Sequence, residues 1–249
     1  TAYQQAISLA HELKILPFPI TYNNVAIIHN FQGQYDKAYQ NCLIALEVID
    51  KINNEAERIP CYLTLIECYR GLKNAYKIQE CISYLDNLLE KVLTPISSAL
   101  LFKLKALISL DNNDIEKAKE NIFKAMSLRN AGEGDPNLLE YKLELAYINY
   151  FSGAYQEAIN ELNAIENGIK EGNHFFHLAR VYVYKALSYL KLNQQDNFEK
   201  AKNLAMNLIN KNNYINLAEQ LSFKTDKVVV QVEKHPLKIY TFGELEVSK

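Results

Sequence analysis

A fixed spacing of forty residues constrains this chain more than any other feature of it. Ala38, Ile78, Ala118 and Ala158 follow one another at intervals of 40, and Ala201 follows after 43. Around them a short pattern returns: Gly33-Gln34-Tyr35-Asp36-Lys37-Ala38, Asn113-Asp114-Ile115-Glu116-Lys117-Ala118, Gly153-Ala154-Tyr155-Gln156-Glu157-Ala158 and Asp196-Asn197-Phe198-Glu199-Lys200-Ala201. Repetition at this period builds a stack of helical units, because each unit buries its apolar face only against the next. The expected functional surface is an extended groove, and the expected function is recognition.

Composition agrees. A hydrophobic content of 49% supports a continuous core, and only 8 glycines and 6 prolines suit long helices with short connections. The net charge of -2 lacks the basic footprint of a nucleic-acid-binding surface. Cys42, Cys61, Cys68 and Cys81 have no close paired spacing, and buried free thiols in a reducing, cytoplasmic setting are expected. No signal segment opens the chain, and no apolar run approaches the ~20 residues that span a bilayer. Thr1-Ala2-Tyr3-Gln4-Gln5 already lies inside a helical pattern, as in a segment of something longer.

Apolar periodicity predicts a first helix over 2–16, ended by Pro17 and Pro19. Helix pairs follow at 20–32 with 35–52, 58–71 with 75–92, 95–110 with 114–130, 136–151 with 155–171, and 174–192 with 196–212. Thr94-Pro95 and Asp135-Pro136 each offer a capping side chain and a proline at the first helical position. Gly132-Glu133-Gly134 reads as a turn; the continuation of a phosphate-binding loop is missing. A last helix near 214–223 covers the open end. Beyond it, Val228-Val229-Val230-Gln231-Val232 and the alternating stretch 238–247 read as strands. Residues 1–224 are therefore expected to form the helical array, and 225–249 a β tail.

Small residues recur within the pairs: Ala26, Ala38 and Ala45, then Ala106, Ala118 and Ala125, then Ala146 and Ala158. They let antiparallel helices approach closely. The second unit carries Ile66, Ile78 and Leu85 instead, and the fifth spaces Ala186 and Ala201 by 15 residues, three too many. Gly33 and Gly153 suit the ends of first helices. Tyr35, Tyr155 and Phe198 open the second helices and are expected to wedge into neighbouring units.

These small, glycine and aromatic positions resemble the tetratricopeptide repeat over residues 1–212, although the unit is 40 residues long and not the usual 34. The resemblance implies an all-α, right-handed superhelical solenoid. Units with such long helices are similar to the sensor arrays of large bacterial transcriptional activators of the maltose-regulon type. Lys238-Ile239-Tyr240-Thr241-Phe242-Gly243-Glu244-Leu245-Glu246-Val247 is similar to the opening strands of winged-helix DNA-binding domains, whose recognition helix would lie beyond Lys249. This segment is accordingly not expected to contact DNA, nor a membrane.

In such arrays the first helix of each pair lines the concave face. Carrying over the groove offsets gives Asn23, Ile27, Asn30, Glu67, Arg70, Lys103, Leu107, Tyr147, Tyr150, Arg180 and Tyr184 as candidate ligand-binding residues. Amides, both charge signs and tyrosines suit a peptide or a small polar effector. The carboxylate clamp of chaperone-binding relatives would need lysines and asparagines where Asn23, Ile27, Thr64, Leu100 and Leu104 stand, so that partner is not expected. His174 and His177 lack further metal ligands nearby, and His11, His29 and His235 are isolated. No nucleophile–base or paired-carboxylate arrangement stands out, so neither catalysis nor a cofactor is expected. The leading expectation is the sensor and interaction module of a multidomain bacterial transcriptional regulator, in contact with neighbouring domains. The alternative is a constitutive scaffold for a partner protein's tail.

Overall fold

The computed structural model describes residues 2–13, 17–91, 94–129 and 136–223. After α1 (Ala2–Glu12), five helix pairs follow: α2 (Pro19–Phe31) with α3 (Tyr35–Ile52), α4 (Arg58–Gly71) with α5 (Ala75–Lys91), α6 (Pro95–Asp111) with α7 (Ile115–Arg129), α8 (Pro136–Phe151) with α9 (Tyr155–Glu171), and α10 (Phe175–Lys191) with α11 (Gln195–Asn212). A short 3-10 turn, Glu55–Glu57, precedes α4, and α12 (Ile215–Phe223) ends the array. The expected strands in 225–249 and the turn at 132–134 lie outside the described residues. So do Asp135 and the last residues expected of the first helix, 14–16.

The helices end on a beat of twenty residues. Positive φ occurs at Gly33, Asn53, Lys73, Asn113, Gly153, Asn173, Asn193 and Asn213. Most of these turns repeat one hydrogen-bond motif. Gly33 N–H donates to Asn30 O (3.0 Å) and Gln34 N–H to His29 O (2.8 Å); Asn193 N–H donates to Leu190 O (3.1 Å) and Gln194 N–H to Tyr189 O (2.9 Å). This pattern satisfies the last carbonyls of a helix and needs a residue that tolerates the left-handed region, hence asparagine and glycine. The next helix begins at once, with Asn74 Oδ1 accepting from Lys77 N–H and Asp114 Oδ1 from Lys117 N–H, both at 3.1 Å. Thr94 caps α6 in the expected way, its hydroxyl oxygen accepting from Ser97 N–H at 3.3 Å.

That beat corrects the fifth unit. Asn193 stands 40 residues after Gly153, so the position matching Ala38, Ala118 and Ala158 is Phe198, not Ala201. The matching positions Ala186 and Ala205 are alanines with no exposed surface, and Phe198 is buried beside them. No residues are inserted. Phe198 fills an alanine site and does not open a helix as Tyr35 and Tyr155 do. The other repeat positions, from Ala26 to Ala158 and including Ile66, Ile78 and Leu85, are all buried.

Curvature follows from which helices touch. Within pairs the packing is extensive, and successive first helices also meet: α2 with α4, α4 with α6, α6 with α8, α8 with α10, and α10 with α12. Successive second helices make no comparable contact. First helices therefore form the inner wall and second helices the outer one. α12 occupies the place of a sixth first helix, since it packs on α10 and α11.

The curl is tight enough to bring the ends together. Phe31, at the end of α2, stacks on Phe176 of α10 with ring centroids 4.1 Å apart and 11° between planes. Asn216 Nδ2 of α12 donates to the Tyr35 hydroxyl at 2.9 Å, across 181 residues of chain. Gly33 makes the approach possible, because a Cβ there would lie 1.9 Å from Asn216 Oδ1. Tyr35 also wedges into the next unit as expected: a Cβ on Gly71 would stand 2.3 Å from its ring.

Candidate ligand-binding site

The inner wall is stitched by polar bonds between neighbouring first helices, each linking residues about one unit apart. Asn30 Nδ2 donates to Thr64 O (3.4 Å), and Cys68 Sγ to Asn30 Oδ1 (3.3 Å). Arg70 grips Asp111 through Nε (2.8 Å) and Nη2 (3.2 Å). Lys103 Nζ donates to Glu140 Oε1 at 2.6 Å. Arg180 holds Glu144 by two parallel bonds of 2.6 Å, and the Tyr184 hydroxyl donates to Gln220 at 2.8 Å. Two-pronged pairing of this kind fixes direction as well as distance, so it sets the register of one unit on the next.

Burial makes these groups depend on one another. Lys103 holds the Glu140 carboxyl down to about 2. Burial opposes charge on Glu144, yet Arg180 beside it keeps its carboxyl below the ordinary range. Burial likewise works against the charge of Lys103, but Glu140, Glu67 and Glu144 together hold its pKa up. Glu67 is the exception: burial pushes its pKa up, with Lys103 pulling the other way. Burial also pushes His177 down to about 4, leaving a neutral imidazole.

Within this wall lies a cavity of about 290 Å³ lined by Asn23, Ile27 and Phe31 of α2, Pro60, Leu63, Thr64 and Glu67 of α4, Leu100, Lys103 and Leu104 of α6, Glu140 of α8 and His177 of α10. The end-to-end contact places α10 across from α2, so the groove is walled from both sides while staying open to solvent. Asn23 Oδ1 and His177 Nδ1 are buried without a hydrogen-bond partner.

Of the residues expected in the groove, Asn23, Ile27, Glu67 and Lys103 line the cavity. The others do not, for physical reasons. Asn30, Arg70 and Arg180 are committed to inter-unit bonds. Leu107, Tyr150 and Tyr184 are buried as core. Tyr147 packs edge-on to Tyr184 (4.7 Å) and Phe151 (4.8 Å), with the Arg180 guanidinium 5.8 Å from its ring. Large rings thus fill the inner face of the fourth and fifth units themselves, and the cavity is left where α2, α4 and α6 carry smaller side chains. Sequence reasoning missed Phe31, Pro60, Leu63, Glu140 and His177 as lining residues. Glu140 was within reach, since it stands one period after Leu100; Phe31 and His177 enter only because the superhelix closes.

The expected thiols are as anticipated: all four cysteines are free and buried. Burial pushes Cys81 up to about 11 and Cys61 up to about 12. No cluster of potential metal ligands occurs among the described residues, and no described helix is long and apolar enough to cross a membrane.

This geometry defines a tetratricopeptide-like α-solenoid with a hollow inner face. No protein-family model matches the sequence, and no curated protein does. Among solved structures, the chain is similar to Bacillus thuringiensis PlcR, solved in complex with the peptide PapR7 and DNA, at a TM-score of 0.66 and 15% identity over 88% of this chain and 82% of that one. That likeness is one of fold. A putative kinesin light chain from Podosopora anserina with nearly identical TPR-like repeats matches at a TM-score of 0.48 and 15% identity, over 79% of this chain and 98% of that one. A single-substitution form of the same protein matches at 0.49 and 16%, over 77% and 94%.

Proposed function

We propose that this chain is the sensing and interaction module of a multidomain transcriptional regulator of bacteria, acting by recognition and not by catalysis. Its hollow would receive a peptide or a small effector. The observation that carries the reading is the cavity itself, whose walls come from both halves of the array, α2, α4 and α6 on one side and α8 and α10 on the other. A guest there touches units that are far apart in sequence but joined by the Phe31–Phe176 stack. Its affinity therefore differs between the closed array and a more open one, and only such a difference moves a conformational balance. Neighbouring domains would feel that movement. The likeness in fold to PlcR, a protein solved with a peptide and DNA, supports the same direction. Activators of the maltose-regulon type, and a winged-helix domain continuing from 238–247, are the finer form of this proposal, in a cytoplasmic protein.

The test is a screen of short peptides and metabolites by thermal shift and calorimetry, run on the protein and on Ile27→Trp, which fills the hollow. Ligands that stabilise the former and leave the latter unmoved are expected. A screen without ligands, or ligands indifferent to the added indole, would overturn the assignment.

A further inference from the structure

The cavity wall has an imbalance of hydrogen-bonding groups. Its one lysine, Lys103, is already bonded to Glu140. Glu67 forms no hydrogen bond or close ion pair among the described residues, although it too faces the hollow. Asn23 is 2% exposed and its Oδ1 has no partner; His177 Nδ1 has none either. Glu67 and Glu140 thus face one ammonium within the lining, with the Arg70 guanidinium also acting on Glu67 from outside it, and the unused Glu67 oxygens are acceptors. Asn23 Oδ1 is a buried acceptor whose lost hydration no donor offsets, so the wall suits a guest that donates. The remaining surface, chiefly Ile27, Leu63, Leu104 and Phe31, is apolar.

We infer that the cavity recognises a primary ammonium group carried on a short apolar body. Glu67 is the counter-charge, Asn23 Oδ1 is a second acceptor, and the apolar wall holds the body. This rests on the reading of the hollow as the ligand site and narrows it to one chemistry. The neutral state of His177 is consistent, because a protonated imidazole would repel the guest; burial raises the pKa of Glu67, and a cation bound beside it favours the ionised carboxylate. Size narrows it again: a hollow of about 290 Å³ lies at the small end of the ~300–1,000 Å³ of sites for drug-sized molecules, which suits one small amine or the end of a chain.

Two sources supply such a group, a free alkylamine and the amino terminus of a peptide, and the test separates them. Calorimetric titrations would compare n-hexylamine with n-hexanol, and trileucine with its N-acetylated form, on the protein and on Glu67→Gln and Asn23→Leu. Hexylamine or free trileucine is expected to bind at least ~10-fold more tightly than its uncharged counterpart, and Glu67→Gln is expected to erase that preference. Preference for hexylamine alone identifies a small amine; preference for trileucine alone identifies a peptide end. Equal binding of charged and uncharged probes overturns the inference, with or without folded variants. So does a preference that survives Glu67→Gln. Uncharged probes that bind and are blocked by Ile27→Trp would leave the hollow as the ligand site and remove only the ammonium. No binding of any probe overturns the ammonium inference, while the wider screen still decides the site.

Discussion

Lys73 occupies the left-handed region at φ 55°, where the matching turns of other units carry asparagine or glycine. A residue with a Cβ pays roughly 1–2 kcal/mol there. Lys73→Gly is therefore expected to raise stability by up to about 1 kcal/mol, once the greater freedom of the unfolded glycine is subtracted. The midpoint of urea unfolding reads this directly, and an unchanged or lower midpoint would refute it. Gly71, two residues earlier, runs the opposite way. Its missing Cβ is the space taken by the Tyr35 ring. Gly71→Ala is expected to cost roughly 1–3 kcal/mol by overpacking, although alanine is the better helix former. If propensity outweighed packing, that variant would gain stability.

Between elements, the ion pairs of the inner wall govern how units stack. Glu144 and Arg180 are both largely buried, with side chains 3% and 13% exposed. Glu144→Gln leaves a buried guanidinium without its counter-charge, at roughly 3–5 kcal/mol, whereas Glu144→Leu with Arg180→Met should recover most of that loss. A double-variant unfolding cycle measures the difference, and additive losses would argue that the pair does not couple the helices. Acid should unfold the array in two stages. His177 has a folded pKa near 4 against an ordinary value of ~6.5 in the unfolded chain, so stability falls as pH drops from about 6.5 to 4. His29, also lowered by burial, adds to this stage. The second stage belongs to Glu140 and Glu166, each held down to about 2. Their contribution is whole above about pH 5 and is lost as pH falls from about 4.5 to 2. Urea midpoints between pH 8 and pH 3 should show both stages, and His177→Gln should flatten the first.

For the whole molecule, the decisive contact is the meeting of its two ends. Phe31 on Phe176 and Asn216 on Tyr35 join units that lie far apart in sequence. Phe31→Ala combined with Asn216→Ala is expected to enlarge the radius of gyration in solution scattering while leaving helical circular dichroism unchanged. An unaltered radius would mean that the stacking of units by itself fixes the curvature. The same pair of substitutions should weaken any ligand that needs both walls of the hollow.

Helix positions were legible in the residues, because small side chains, turn asparagines and apolar periodicity act within one or two units and so repeat along the chain. Even the fifth unit obeys the period once Asn193, and not Ala201, marks its register. The cavity lining was legible only in part. Asn23, Ile27, Glu67 and Lys103 follow from knowing that first helices face inward, but the same offset also picked Tyr150 and Tyr184, which their own bulk turns into core. Which inward positions stay hollow depends on the summed volume of rings from successive helices and on the angle accumulated from unit to unit. That angle alone brings His177 opposite Asn23, and no local pattern carries it.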